Sequence, residues 1–170
     1  KETERLDEAK TSFEEAIRLN PELAEAHNNL GLTLVDLHKY EDAEASYNRA
    51  IKLNPNFAEA YNNLGNSYTE LGQLDDAVKS YLKALDINPD YPALHNNLGN
   101  AYTELGQTDN ALNSYRSALS HNPDNADSHN YIGNVLNSLG EHDEAIKSYK
   151  RAIAINPDYA DAYNNLGNAL

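Results

Sequence analysis

Residues 58–91 read AEAYNNLGNSYTELGQLDDAVKSYLKALDINPDY, and residues 92–125 read PALHNNLGNAYTELGQTDNALNSYRSALSHNPDN. The two stretches carry the same residue types at the same offsets. Five prolines, Pro21, Pro55, Pro89, Pro123 and Pro157, stand 34 residues apart, and each follows an asparagine. With proline at position 32 of a 34-position register, complete repeats fall at 24–57, 58–91, 92–125 and 126–159. Residues 1–23 end an earlier repeat and residues 160–170 begin a later one, so the whole of 1–170 reads as a single array. Self-similarity at this period marks a solenoid of stacked units.

Each unit reads as two helices. Apolar or small residues recur at positions 4, 7, 8 and 11 and again at 20, 24, 27 and 28, which places one apolar stripe on each of two helices. Gly31, Gly65, Gly99, Gly133 and Gly167 share position 8. A glycine there weakens a helix by about 1 kcal/mol against alanine, which suggests close packing of two backbones. Gly72, Gly106 and Gly140 fall between the helices, where a positive φ favours glycine. His38 takes that place in the first complete repeat, so its turn is expected to be strained or differently shaped. Each Asn-Pro pair ends the second helix, because the residue before proline is pushed out of the α region. The expected spans are positions 1–14 for helix A and 18–31 for helix B.

The residues Tyr61, Leu64, Gly65, Tyr68, Ala77, Tyr81, Ala84 and Pro89 recur as His95, Leu98, Gly99, Tyr102, Ala111, Tyr115, Ala118 and Pro123. In this pattern the chain resembles the tetratricopeptide family along its whole length. The resemblance implies an all-α fold, a right-handed superhelical solenoid of antiparallel hairpins with helix A lining the concave side.

Composition narrows the function classes. Cysteine is absent, which removes disulfides and thiolate metal sites. No apolar run approaches the roughly 18 to 20 residues of a membrane span, and nothing resembles a secretory leader, so membrane insertion is not expected and a cytoplasmic location is. A net charge of −14 argues against nucleic acid and anionic membranes and permits a neutral or basic partner. No catalytic constellation is legible. His27, His95 and His129 share position 4, one repeat apart and too distant to chelate one ion, and read as packing residues. His38, His121 and His142 read as solvent-facing. Asp75 with Asp76, and Glu14 with Glu15, read as dipole-complementing acids near the start of helix B. No phosphate loop or nucleophile motif is present, so neither an enzyme, a cofactor nor a metal is expected.

The family resemblance places the concave surface at helix A positions 2, 5, 6, 9, 12 and 13. Position 5 holds Asn28, Asn62, Asn96, Asn130 and Asn164, and position 6 holds Asn29, Asn63, Asn97, Tyr131 and Asn165. Position 9 holds Leu32, Asn66, Asn100, Asn134 and Asn168. Asparagine is a mediocre helix former, so a helix face filled with it is locally unfavourable. One reading is solvated surface and a repeat habit. The other is a ladder of amides, each with donor and acceptor, suited to an extended peptide backbone. Position 6 resembles the asparagine ladder in the tetratricopeptide half of O-linked N-acetylglucosamine transferases, which implies a client-holding role. Tyr131 interrupts the ladder as a stacking or packing residue.

Charge is segregated along the same lines. From residue 24 onward every Lys and Arg lies on helix B or in the hairpin turn, while helix A carries Glu25, Asp36, Glu59, Glu70, Glu104, Asp127 and Asp161. Chaperone-binding members of the family clamp an acidic C-terminus with helix-A Lys and Arg; asparagines and acids occupy those positions here, so the expected partner is an extended, neutral-to-basic peptide or protein. The alternatives are a self-assembling structural array, with end-to-end association through uncapped termini, and the substrate-recruiting arm of a larger glycosyltransferase-like enzyme.

Overall fold

A computed structural model describes residues 2–170; Lys1, assigned above to the first partial repeat, lies outside the described residues. Among these residues the secondary structure is entirely helical: α1 (Glu2–Leu19), α2 (Ala24–Asp36), α3 (Tyr40–Leu53), α4 (Ala58–Glu70), α5 (Leu74–Ile87), α6 (Pro92–Glu104), α7 (Thr108–His121), α8 (Ala126–Ser138), α9 (His142–Ile155) and α10 (Ala160–Ala169). The helices fall into two compact units, the first running through Pro89 and the second from Asp90 to Leu170. In the first unit α2 pairs with α3 and α4 with α5 as hairpins, with α1 against α2 and α3 against α4. In the second unit α6 pairs with α7 and α8 with α9, while α7 also packs on α8 and α9 on α10. This is the all-α stacking of an α–α solenoid. No described helix is long and apolar enough to cross a membrane.

From α2 to α9 the helices are those the period predicts, each ending within a residue or so of its expected bounds. Three helix-B positions are the most deeply enclosed. Ala43, Ala77, Ala111 and Ala145 at position 20 are 0% exposed, and the tyrosines at position 24 and alanines at position 27 are buried with them. The small residues let helix B lie close to its neighbours, and each tyrosine fills the space between.

Position 8 shows what occupies that space. A Cβ added at Gly31 would stand 2.5 Å from Cε1 of Tyr47, and one at Gly65 the same distance from Cε1 of Tyr81. Gly99 meets Tyr115 and Gly133 meets Tyr149 in the same way. The glycine therefore accommodates an aromatic ring laid on the backbone of helix A, not a second backbone. Gly167 faces no such ring.

The turns follow one pattern with two exceptions. Gly72, Gly106 and Gly140 adopt φ of 71°, 69° and 79°, and His38 adopts φ of 56°. His38 thus keeps the shape of the glycine turns and takes the strain of a left-handed conformation. Its Nδ1 lies 3.1 Å from the Tyr40 hydroxyl. The same register position near the start of the chain is Glu4, and there α1 runs on as one unbroken helix. A good helix former has replaced the residue that stops helix A. Asp7 and Glu8 are the residues that match Asp75 and Asp76 in the register, so Glu14 and Glu15, at positions 25 and 26, do not stand at a helix start. They lie in the latter half of α1, where Glu14 pairs with Lys10 at 2.7 Å and Glu15 with Arg18 at 2.6 Å. Asp75 and Asp76 do occupy the first turn of α5.

The Asn-Pro junctions are also specific about asparagine. Asn54 and Asn156 are extended, as a residue before proline must be. Their Oδ1 atoms accept from the backbone N–H of Asn56 and Asp158, each at 3.2 Å. Asn20 and Asn122 make the same bond two residues on. Each of these four asparagines closes an Asx turn that delivers the chain to the next helix.

Candidate functional site

The asparagines singled out above occupy three different environments, set by their register position. At position 5, Asn28, Asn62 and Asn130 are buried. Asn96 is half-buried and Asn164 is exposed. In the first unit Asn63 Nδ2 donates to Asn28 Oδ1 at 3.1 Å, and in the second Asn165 Nδ2 donates to Asn130 Oδ1 at 3.1 Å. Asn62 Nδ2 reaches Asn63 Oδ1 at 3.4 Å, and Asn96 Oδ1 accepts from the Ser128 hydroxyl at 2.7 Å. Position 5 and position 6 amides of successive repeats therefore bond each other. Buried amides need such partners, and here they also join one helix A to the next. Asn29 and Asn97 remain half-buried at the surface, while Asn63 is drawn into the joint.

Position 9 works differently. The Tyr81 hydroxyl donates to Asn66 Oδ1 at 2.8 Å, Tyr115 to Asn100 Oδ1 at 2.7 Å, and Tyr149 to Asn134 Oδ1 at 2.9 Å. Asn66 and Asn134 are exposed and Asn100 is half-buried. At the exposed Asn134 the tyrosine engages the oxygen and leaves the amide nitrogen as the end turned outward, whereas the Asn100 side chain also hydrogen-bonds the Tyr131 hydroxyl. Thr69 and Thr103 Oγ1 lie 3.1 Å from the same hydroxyls of Tyr81 and Tyr115. Burial pushes the Tyr115 hydroxyl up to about 12, so it stays a donor throughout the physiological range.

The first complete repeat lacks this network. Its position 9 is Leu32 and its position 12 is Val35, and the Tyr47 hydroxyl is buried with no hydrogen-bond partner among the described residues. Sequence reading missed the tyrosine–asparagine link, although a signal for it exists. Polar pairs, Asn66 with Thr69, Asn100 with Thr103 and Asn134 with Asn137, occupy positions 9 and 12 where the link forms, and the apolar pair Leu32 with Val35 where it does not.

Tyr131 stands at position 6 of α8 with its ring centroid 5.4 Å from that of Tyr115, the planes tilted by 36°. Burial and the nearby Asp127 carboxylate both raise its hydroxyl pKa. Two clefts open on either side of it within the second unit. One, of about 290 Å³, is lined by Asn100, Thr103, Glu104, Tyr115, Tyr131, Asn134 and Val135. The other, of about 540 Å³, brings together Tyr91, Pro92, Asn96, Asn97, Asn100, Asp127 and Tyr131 among its walls. Five of the predicted site residues thus gather around these two clefts, whereas Asn28, Asn62 and Asn130 are enclosed between helices.

The histidines at position 4 are structural. His27 Nε2 lies 3.2 Å from the Pro21 carbonyl oxygen and His129 Nε2 3.1 Å from that of Pro123. His95 instead stacks on His121, ring centroids 5.3 Å apart, and its Nε2 is buried without a partner. His38, His121 and His142 are exposed, as expected. Among the described residues no group of three or more His, Asp or Glu side chains is placed to hold a metal ion.

Paired helices of this length, an aromatic ring seated on a helix-A glycine and the Asx turns after Asn20, Asn54, Asn122 and Asn156 define a helical-hairpin repeat protein. The chain belongs to the tetratricopeptide repeat (TPR) family: TPR profiles match residues 1–37, 65–106, 99–140 and 133–170, and further tetratricopeptide profiles match 24–57 and 46–79. Among solved structures, MamA is 26% identical over 92% of this chain and 91% of its own, with a TM-score of 0.86. YrrB, described as a TPR protein with an unusual peptide-binding site, is 29% identical over 92% of this chain and 81% of its own, with a TM-score of 0.79. A thermophilic TPR protein from Thermus thermophilus is 28% identical over 98% of this chain and 91% of its own, at a TM-score of 0.75. No curated protein sequence matches the chain significantly.

Proposed function

We propose that the chain is a non-catalytic interaction scaffold whose helix-A face holds an extended, neutral-to-basic polypeptide segment. The observation that carries this reading is the row of tyrosine-anchored amides at position 9, Asn66, Asn100 and Asn134: each buried tyrosine takes the amide oxygen, and at the exposed Asn134 this leaves the nitrogen for a backbone carbonyl of a ligand. Within the second unit the position 9 amides of α6 and α8 stand one hairpin apart, which suits a chain laid along successive hairpins. Each bond contributes about 0.5 to 1.5 kcal/mol, so affinity accumulates over several repeats.

Charge supports the same ligand. The helices α2, α4, α6, α8 and α10 contain no Lys or Arg but include Glu25, Asp36, Glu59, Glu70, Glu104, Asp127 and Asp161. Of the position 6 asparagines on which the resemblance to the client-holding transferase repeats rests, Asn29 and Asn97 are half-buried and Asn63 is buried. YrrB, similar in fold and sequence, is described by its peptide-binding site. A panel of unstructured basic, neutral and acidic peptides, titrated by fluorescence anisotropy at two salt concentrations, tests the proposal. Basic and neutral peptides bind, the basic ones more weakly at high salt; a preference for acidic peptides, or an affinity for basic ones that ignores salt, overturns it.

A further inference from the structure

We propose that the smaller cleft beside Tyr131 is a subsite for an arginine side chain of the bound segment. The inference rests on the peptide-scaffold reading and adds to it a specific residue type. The cleft has the three features a guanidinium requires. Its floor is apolar, from Val135. Its wall is the Tyr131 ring, which takes the place of the asparagine found at position 6 in the other repeats. Its rim carries the exposed Glu104 carboxylate and the amide of Asn134.

The wall is held rigidly. Tyr131 packs against Tyr115 with centroids 5.4 Å apart, and Tyr115 is itself fixed by its 2.7 Å bond to Asn100. A planar, weakly hydrated guanidinium stacks on such a ring and pairs with a carboxylate through two parallel N–H bonds, whereas an ammonium does neither as well. A volume of about 290 Å³ suits one long side chain rather than a folded peptide element. No cation competes for the acid from the same face, since α6, α8 and α10 carry no Lys or Arg. Asp127 lines the cleft on the opposite side of Tyr131, so carboxylates flank the ring on both sides. Nowhere else in the array does an aromatic ring occupy position 6, which gives an otherwise sequence-tolerant surface one point at which a ligand side chain is selected.

The probe is N-acetyl-arginine methylamide, titrated into the full chain and followed through the side-chain amide resonances of Asn100 and Asn134. The lysine and citrulline analogues serve as comparisons, citrulline being the uncharged near-isostere of arginine. The expected result is a saturable shift with arginine, weaker with lysine, and at least about fivefold weaker with citrulline. Glu104→Gln lowers the arginine response by about five- to tenfold, Tyr131→Asn does the same, and Tyr131→Phe retains it. Glu104 is exposed and Tyr131 half-buried, and far-ultraviolet circular dichroism checks that each variant stays helical. Equal responses to arginine and citrulline, or no change in Glu104→Gln, overturn the proposal. If an arginine-free neutral peptide still binds the helix-A face while the arginine probe gives no shift, the subsite is refuted and the scaffold reading stands.

Discussion

The Tyr149 hydroxyl on α9 donates a 2.9 Å hydrogen bond to Asn134 Oδ1 on α8. One bond thus joins the two helices of a hairpin, satisfies a buried phenol and aims a surface amide. Tyr81 with Asn66 and Tyr115 with Asn100 repeat it, and Tyr47 alone among the four is left without a partner.

Leu32→Asn should therefore stabilise the protein, because it supplies the acceptor that Tyr47 lacks. The gain is about 1 kcal/mol, the net value of one such bond. Tyr47→Phe should be neutral or stabilising. Tyr115→Phe should lose about 1 kcal/mol or somewhat more, since Asn100 loses its partner. Urea denaturation monitored by circular dichroism checks all three, and equal losses in Tyr47→Phe and Tyr115→Phe would contradict the assignment.

Glycine at position 8 gives a second contrast. Gly65→Ala adds a methyl against the Tyr81 ring at 2.5 Å and should destabilise by about 1 to 3 kcal/mol, despite the helix propensity it adds. Gly167→Ala meets nothing within 4 Å and should be neutral or stabilising by up to about 1 kcal/mol. Thermal denaturation of the two variants separates them; similar behaviour would mean that the ring does not dictate the glycine.

His38→Gly relieves a left-handed conformation at φ 56° while keeping the turn. An increase in stability of about 1 kcal/mol is expected by equilibrium unfolding. A loss would show that the contact with Tyr40 outweighs the backbone strain.

Burial, and then the stacked His121, hold the His95 pKa below its ordinary value of 6.5. A depressed pKa means the unfolded chain takes up the proton first. The stability tied to neutral His95 is thus fully present above about pH 6.5 and declines as pH falls toward the folded value. The melting temperature should fall between pH 7.5 and 5.5 in the parent, and fall less in His95→Tyr, which installs the residue found at the same position as Tyr61. An identical fall in both would remove His95 from the account.

The hairpins were legible because Asn-Pro recurs in fixed register and ends every helix B by a local backbone effect. What lies between helices was less so. Position 8 read as a place where backbones meet, since a glycine announces closeness and not what comes close; the ring of Tyr81 is fifteen or so residues away in sequence. Burial of Asn28 and Asn130 was invisible for a similar reason. An asparagine on an expected surface looks the same whether it faces solvent or the amide one repeat on, and only the packing of successive A helices decides. Glu4 carried its own signal, a helix former in the slot of a turn glycine, and the unbroken α1 follows from it.

The central claim is that ligand lies on the helix-A face, and the side-chain amides report on it without altering the fold. The most direct measurement maps the tightest-binding basic peptide of the panel by its effect on assigned asparagine side-chain resonances. The account predicts shifts at Asn29, Asn97, Asn100 and Asn134, with Asn48 and Asn113 on the exposed face of helix B unmoved. Shifts at Asn48 and Asn113 with the helix-A amides unchanged would contradict it.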